Sequence, residues 1–265
     1  MVAHASSPSF PQVVKRHALW SIVKFNALLN GIRTNALGRV SRYLDNKFGL
    51  ARFDHPNPLQ PKGHFPEIRS VPIYDPVEFE WVKLINDHAQ EIRDEFLALR
   101  ANGRLAPHPQ KLTDAGSWNT YYLFSNGRKY ESHCEECPTT AKIISQLPGG
   151  GTAGQAYFSV MSGGTHVKAH CGPTNTKIRC HLGLIVPDSS RIRVNDETIN
   201  WKELECIVFD DSFEHEVWNP DEERAVLIID LWHPDLTDDE RWAVEKIGRL
   251  SGRHRNYRNQ LKARR

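Results

Sequence analysis

Four histidines in the second half of the chain have the types and spacing for metal chemistry. His166, His170, His181 and His215 sit among short apolar runs, and imidazole is the commonest protein ligand for a metal. Side chains alternate along an extended strand, so His166 and His170 are expected on one face. His215 lies on a later predicted strand, and the inner face of a barrel can bring such a pair to one point. Two distant histidines among 13 are a weak sign alone and fit core packing as readily. Competing chemistry is scarce. No HExxH, no phosphate-loop Gly-Lys-Ser/Thr and no GxSxG elbow occur. Cys134-Glu135-Glu136-Cys137 is a CxxC without the second pair that a structural zinc site needs, and it reads as reduced cysteines on a loop.

The elements that must position these residues are mostly strands. Short β-like runs separated by turn signals occupy Ala156–Met161, His166–His170, Ile178–Val186, Arg191–Val194, Cys206–Phe209, Glu214–Trp218 and Ala225–Trp232. Without long helices between them, they predict a mainly β fold with flanking helices, a barrel or double-sheet jelly roll. Upstream, Asp75-Pro76 predicts a helix to about Arg100, with Trp81, Leu84, Ile85, His88, Ile92, Phe96 and Leu99 on its packed face. Trp118–Phe124 reads as a strand and Pro138–Leu147 as a short helix; Thr237–Leu250 closes the domain, capped by Thr237 with Glu240.

The domain plan is a basic, partly helical segment over 1–54, a Pro-rich linker over 55–72, a main domain over 73–250 with its β core at 156–233, and a basic tail over 251–265. Residues 1–12 read as a loose terminus. Leu19, Ile22, Val23, Asn26, Leu29 and Ile32 fall near helical spacing. The stretch 18–32 reads either as a helix packed on the domain or as a basic helix in peripheral contact with anionic lipid. It is too polar to span a membrane. A net charge of +2 gives no reason to expect nucleic acid as a partner, and the tail reads first as a solvated charge run. Five cysteines, odd in number and irregular in spacing, do not form a disulfide framework; a reducing, cytoplasmic setting is expected.

Three stretches, HVKAHCGPTNTKIRCHLGLIVP (His166–Pro187), FDDSFEHEVWN (Phe209–Asn219) and LWHPDLT (Leu231–Thr237), closely resemble the aspartyl/asparaginyl β-hydroxylase family. The likeness runs from about Val77 to Glu245 and is strongest from Tyr157. It implies a double-stranded β-helix, cupin-like, with Fe(II) as cofactor and 2-oxoglutarate and O2 as cosubstrates. Related oxygenases hold iron by His-x-Asp/Glu…His. Here His170-Cys171-Gly172 has glycine in the acid's place, so the resemblance implies only two protein ligands to the metal, His170 and His215. Ser159 and Arg224 match the residues that hold the distal carboxylate of 2-oxoglutarate, and Arg179 and His181 those near its other carboxylate. Trp118 matches a tryptophan of the same pocket. Lys177 and Arg179 stand where the animal enzyme grips its substrate's carboxylate with two arginines; lysine cannot fork onto it. Cys134 matches one cysteine of a loop disulfide, but Ala141 occupies its partner's place. Asp211 reads either as an organiser around the metal or, like Asp210, as a turn residue.

The implied reaction is hydroxylation of an unactivated C–H, first at the β-carbon of an Asp or Asn side chain in a peptide or small molecule. Hydroxylation of a lipid acyl chain is the second reading, and a metal- or 2-oxoglutarate-binding module without turnover the third.

Overall fold

The computed structural model describes residues 9–53, 61, 63–110 and 112–262, the last stretch without the side chains of 252–262. Much of the predicted linker, residues 1–8 of the predicted loose terminus and the side chains of most of the basic tail therefore lie outside the described residues. The helices are α1 (Phe10–Leu29), α2 (Gly38–Lys47), α3 (Glu80–Asp87), α4 (Ala89–Ala101), α5 (Glu131–Glu136), α6 (Pro138–Gln146) and α7 (Asp238–Lys262). The early strands are β1 (Ile73–Tyr74), β2 (Ala106–Pro107), β3 (Thr113–Ala115), β4 (Trp118–Ser125) and β5 (Arg128–Lys129). The core strands follow as β6 (Gln155–Met161), β7 (Thr165–His170), β8 (Lys177–Ile185), β9 (Arg191–Val194), β10 (Glu197–Asn200), β11 (Cys206–Phe209), β12 (His215–Asn219) and β13 (Arg224–Trp232).

These strands form a double-stranded β-helix of two antiparallel sheets. The larger runs β1-β11-β8-β13-β6-β4-β2 with β5 beside β4, and the smaller runs β10-β9-β12-β7-β3. Burial follows from what covers each face. One face of the larger sheet packs Phe158, Cys180, Leu182, Leu227 and Ile229 against Val82, Ile85, Ile92 and Phe96 of α3 and α4 and Ile143 and Ile144 of α6. Its other face meets the smaller sheet through Tyr157, Val167, Ile192, Phe209, Val217 and Ile228. A central strand covered on both faces must be apolar throughout, and every residue of β13 is buried. On β12 only one face is covered, and burial alternates.

The predicted helix from Asp75 to Arg100 is broken. Asp75 accepts from Val77 N and caps a 3₁₀ turn, and His88, at φ −111° and ψ 12°, ends α3 and caps α4. The break lets α3 follow β11 while α4 follows β8 and α6. His88 is not in the core; it pairs with Glu91 at 2.6 Å on the surface. Cys134 lies in α5 rather than on a loop, and it and Cys137 are buried free thiols.

α1 begins earlier than predicted, at Phe10, because Ser9 and Gln12 form a capping box and Pro11 suits the first turn. It ends at Asn30 and Gly31, so Ile32 lies outside it. Its packed face is also rotated from the predicted one: Arg16, Val23 and Ala27 are buried, whereas Ile22 and Leu29 are exposed. Val23 and Ala27 join Val40 and Leu44 of α2, Trp232 at the end of β13, and Ala243 and Ile247 of α7 in a third apolar cluster. The described part of the Pro-rich segment bends at 66–68 and is tied down, with Phe65 N donating to Asn175 Oδ1 at 2.7 Å. The closing helix is capped as predicted, Glu240 N to Thr237 Oγ1 and Thr237 N to Glu240 Oε2, but runs on to Lys262.

Glu240 also accepts two bonds from Arg39, at 2.8 and 2.5 Å, and is 3% exposed. Removing one partner of a buried ion pair strands the other, which typically costs about 3 kcal/mol or more. Glu240→Ala is expected to lower unfolding stability by about 3 kcal/mol, read by chemical denaturation. A change under about 0.5 kcal/mol would mean that this pair does not anchor the N-terminal helices.

Candidate active site

Antiparallel pairing of β7 with β12 sets His170 directly opposite His215, with ring centroids 4.1 Å apart. His166 is not with them. The register slips between His215 and Val217, and a bulge inverts the alternation, so Val167 and His170 face inward while His166 faces out. His166 instead bridges Asp114 and Glu216 at 2.9 and 2.7 Å. Glu214 and Glu216 flank His215 on the opposite face, as alternation predicts, and both bind Arg193.

The tautomer of each inner histidine follows from its partner. His170 Nδ1 lies 2.7 Å from Lys168 O and His215 Nδ1 2.9 Å from Phe213 O. A carbonyl oxygen only accepts, so each Nδ1 carries the proton and each Nε2 keeps its lone pair. Burial pushes both pKa values down, that of His215 to about 3, and the rings are neutral near pH 7. Two neutral imidazoles with Nε2 lone pairs are the donor set a divalent transition metal takes. No group of three His, Cys, Asp or Glu side chains among the described residues is arranged to hold a metal.

The acid missing at Gly172 has a counterpart in space. A Cβ added to Gly172 would fall 2.6 Å from Asp211 Oδ1 and 2.7 Å from Oδ2. The Asp211 carboxylate therefore lies against the glycine, and Gly172 N donates to Asp211 O at 2.6 Å. Asp211 Oδ2 is 3.0 Å from an Arg179 guanidinium nitrogen, and the buried Oδ1 has no hydrogen-bond partner among the described residues. Asp210 plays the turn role instead, its Oδ1 accepting from Ser212 N at 2.8 Å, and burial pushes its carboxyl up to about 7.

Along β8, Lys177, Arg179 and His181 share a face. Both cations are already engaged: Asp230 takes Lys177 Nζ at 2.5 Å and Arg179 Nε at 2.9 Å. These two cations hold the Asp230 carboxyl well below the usual range despite its burial. His181 differs. Trp201 Nε1–H donates to its Nδ1 at 3.3 Å, so the proton sits on Nε2, which is buried without a partner.

Arg224, at the start of β13, is 1% exposed. No carboxylate of a described residue pairs with it, and burial pushes its pKa down to about 9. It packs 4.1 Å over the Trp201 ring, reaches Ser159 Oγ at 3.5 Å, and leaves Nε without a partner. Ser159 Oγ also accepts from Trp118 Nε1 at 2.9 Å, which frees its own proton for another acceptor. Trp118, Tyr157, His170, Arg179, His181, His215 and Arg224 line one cavity. Lys177 lines a different one, beside Thr174, Trp232 and Glu245. Three residues here went unread in the sequence. Trp201 orients His181, Asp230 neutralises the β8 cations, and His108 stacks on Trp118 at 3.6 Å, its pKa lowered chiefly by burial. The His108 signal was faint, one histidine between two prolines in a loop.

A buried guanidinium without an anion is costly, and Ser159, His181 Nε2–H and Arg224 all offer donors inside the same sheet. Such a pocket suits a small carboxylate-bearing molecule beside the histidine pair.

The sequence profile of the aspartyl/asparaginyl beta-hydroxylase family matches residues 86–234. The human aspartyl/asparaginyl beta-hydroxylase is 38% identical over 189 residues, which is 68% of this chain and 25% of that one. The Xenopus tropicalis aspartate beta-hydroxylase domain-containing protein 2 is 32% identical over 78% of this chain and 57% of its own length. The Rhizobium tropici ornithine lipid ester-linked acyl 2-hydroxylase is 35% identical over 64% of this chain and 63% of its own. The chain thus spans from about a quarter to under two thirds of these relatives.

Gly172→Ala tests the close approach of Asp211. The added carbon must displace a carboxylate held by Arg179, so we expect a stability loss of about 2 kcal/mol, seen as a lower denaturant midpoint. In an Asp211→Gly background the same change should be nearly neutral; equal losses in both backgrounds would separate the two positions.

Proposed function

Because this chain belongs to the aspartyl/asparaginyl β-hydroxylase family, we propose that it is an Fe(II)- and 2-oxoglutarate-dependent dioxygenase that hydroxylates an unactivated C–H. The observation carrying this reading is Arg224, buried, without a carboxylate partner among the described residues, and in one cavity with two neutral histidines. His170 and His215 hold the metal through Nε2. Bound iron supplies the activation of O2, coupled to decarboxylation of 2-oxoglutarate, that attack on such a bond requires. Arg224 takes the distal carboxylate of 2-oxoglutarate in its planar fork, and Ser159 adds its hydroxyl proton. His181 offers Nε2–H and Arg179 a positive field at the other end. Trp118, held by its bond to Ser159, walls the pocket against water. Asp211 points an unbonded oxygen from the place where a triad acid would stand, and would accept a hydrogen bond there.

The first substrate reading is the β-carbon of an Asp or Asn side chain, gripped by Arg179 with Lys177. A second reading, an acyl chain, is favoured by a specific feature: Asp230 and Asp211 already neutralise both cations. An anionic substrate would have to compete with these internal carboxylates.

Two measurements test the site. Arg224→Ala should weaken 2-oxoglutarate binding by about a hundredfold or more while leaving anaerobic Fe(II) affinity within about threefold. Equal 2-oxoglutarate affinity in the two proteins would remove Arg224 from the pocket.

For the substrate, Lys177→Met should raise KM for an Asp-type peptide about tenfold and leave KM for 2-oxoglutarate unchanged. A substrate whose KM ignores Lys177 would favour the acyl reading.

A further inference from the structure

Seven large apolar side chains stand exposed among the described residues, and six of them lie on α1. At 3.6 residues per turn, Phe10, Val14, Phe25 and Leu28 fall within about 60° of one another, with Leu29 at their edge. Their exposures are 80% for Phe10, 48% for Val14, 63% for Phe25, 64% for Leu28 and 69% for Leu29. This stripe lies roughly opposite the buried line of Arg16, Val23 and Ala27 that fastens the helix to α2 and α7. A helix apolar on both sides, one against the protein and one outward, has a second apolar partner to satisfy.

Charge narrows what that partner is. α1 contains no Asp or Glu. Lys15 and Lys24 emerge on the two flanks of the stripe, and neither forms an ion pair among the described residues. Arg16, Arg39 and Arg42 are engaged by Asp45, Glu240 and Glu67. Apolar side chains between two lysines without carboxylate partners, one of them over the Trp20 ring, match the interface of an anionic bilayer, where the rings and leucines enter the acyl boundary and the lysine stems reach back to the headgroups. No described helix is long and apolar enough to cross a membrane, so the contact is lateral.

We infer that α1 is a membrane-docking helix that seats the protein on an anionic lipid surface through Phe10, Val14, Phe25, Leu28 and Leu29, flanked by Lys15 and Lys24. This does not rest on the hydroxylase reading, and the docked lipid need not be a substrate.

The test is co-sedimentation of the full chain with large vesicles of phosphatidylcholine alone or of an equimolar mixture with phosphatidylglycerol, at low salt. Wild type should partition onto the mixture, and Lys15→Gln with Lys24→Gln should reduce that partition about 10- to 30-fold. Phe25→Glu with Leu28→Glu should reduce it about tenfold or more, with unchanged circular dichroism and Tm, because both side chains are already in solvent. Should that pair fail to fold, Leu28→Ser with Leu29→Ser serves, again with loss of binding expected. Failure of wild type to bind the mixture overturns the inference, as does equal binding by the stripe variants. A solution dimer that dissociates in Phe25→Glu, with no vesicle binding, also overturns it and makes the stripe a contact between copies.

Discussion

Four charged groups are buried together on the inner side of β8. Lys177 and Arg179 share Asp230, and Arg179 also holds Asp211. Each charge taken from water costs several kcal/mol, and such a group survives only when opposite charges and hydrogen bonds nearly complete one another. Here two cations meet two carboxylates. The register makes the pairing unavoidable, since Asp230 on β13 is the direct partner of Arg179 on β8, and Trp232 the partner of Lys177. Asp211 arrives from the turn after β11, brought against Gly172 by the backbone bond between them. The same cluster therefore fixes the loop that follows His170 and the loop that precedes His215. Against this neutral assembly Arg224 stands out, because the fold buries it and supplies no anion among the described residues.

Most of the strands could be read from the sequence because their apolar runs are short and bounded by turn residues, and the β core needs no rare backbone geometry to be recognised. The pair His170 and His215, and Arg224 with Ser159, were legible through long motif matches rather than through periodicity. Periodicity failed where its assumption fails. Strict alternation put His166 beside His170, but one bulge in β7 separates them. It also misplaced the packed face of α1, since both sides of that helix are apolar and a 3.6-residue pattern cannot say which side meets the protein. Partners such as Asp230 and Trp201 were invisible because their importance comes from register across sheets, which no local pattern carries.

Delivery of an acid from position 211 instead of 172 has a consequence for the pair His170 and His215. In the usual arrangement the acid sits two residues after the first histidine, so strand geometry fixes its direction. Here the carboxylate comes from another chain segment, and its orientation depends on Arg179. One oxygen is occupied by that guanidinium and the other is unbonded. A carboxylate committed on one side cannot swing freely, yet its other oxygen still accepts a hydrogen bond. The outcome is a site in which two neutral imidazoles face each other and the acid stands apart from them, held by Arg179. Glycine at 172 is then a requirement of space, because any side chain there would push Asp211 away from Arg179 and leave both cations of the β8 cluster to share Asp230 alone.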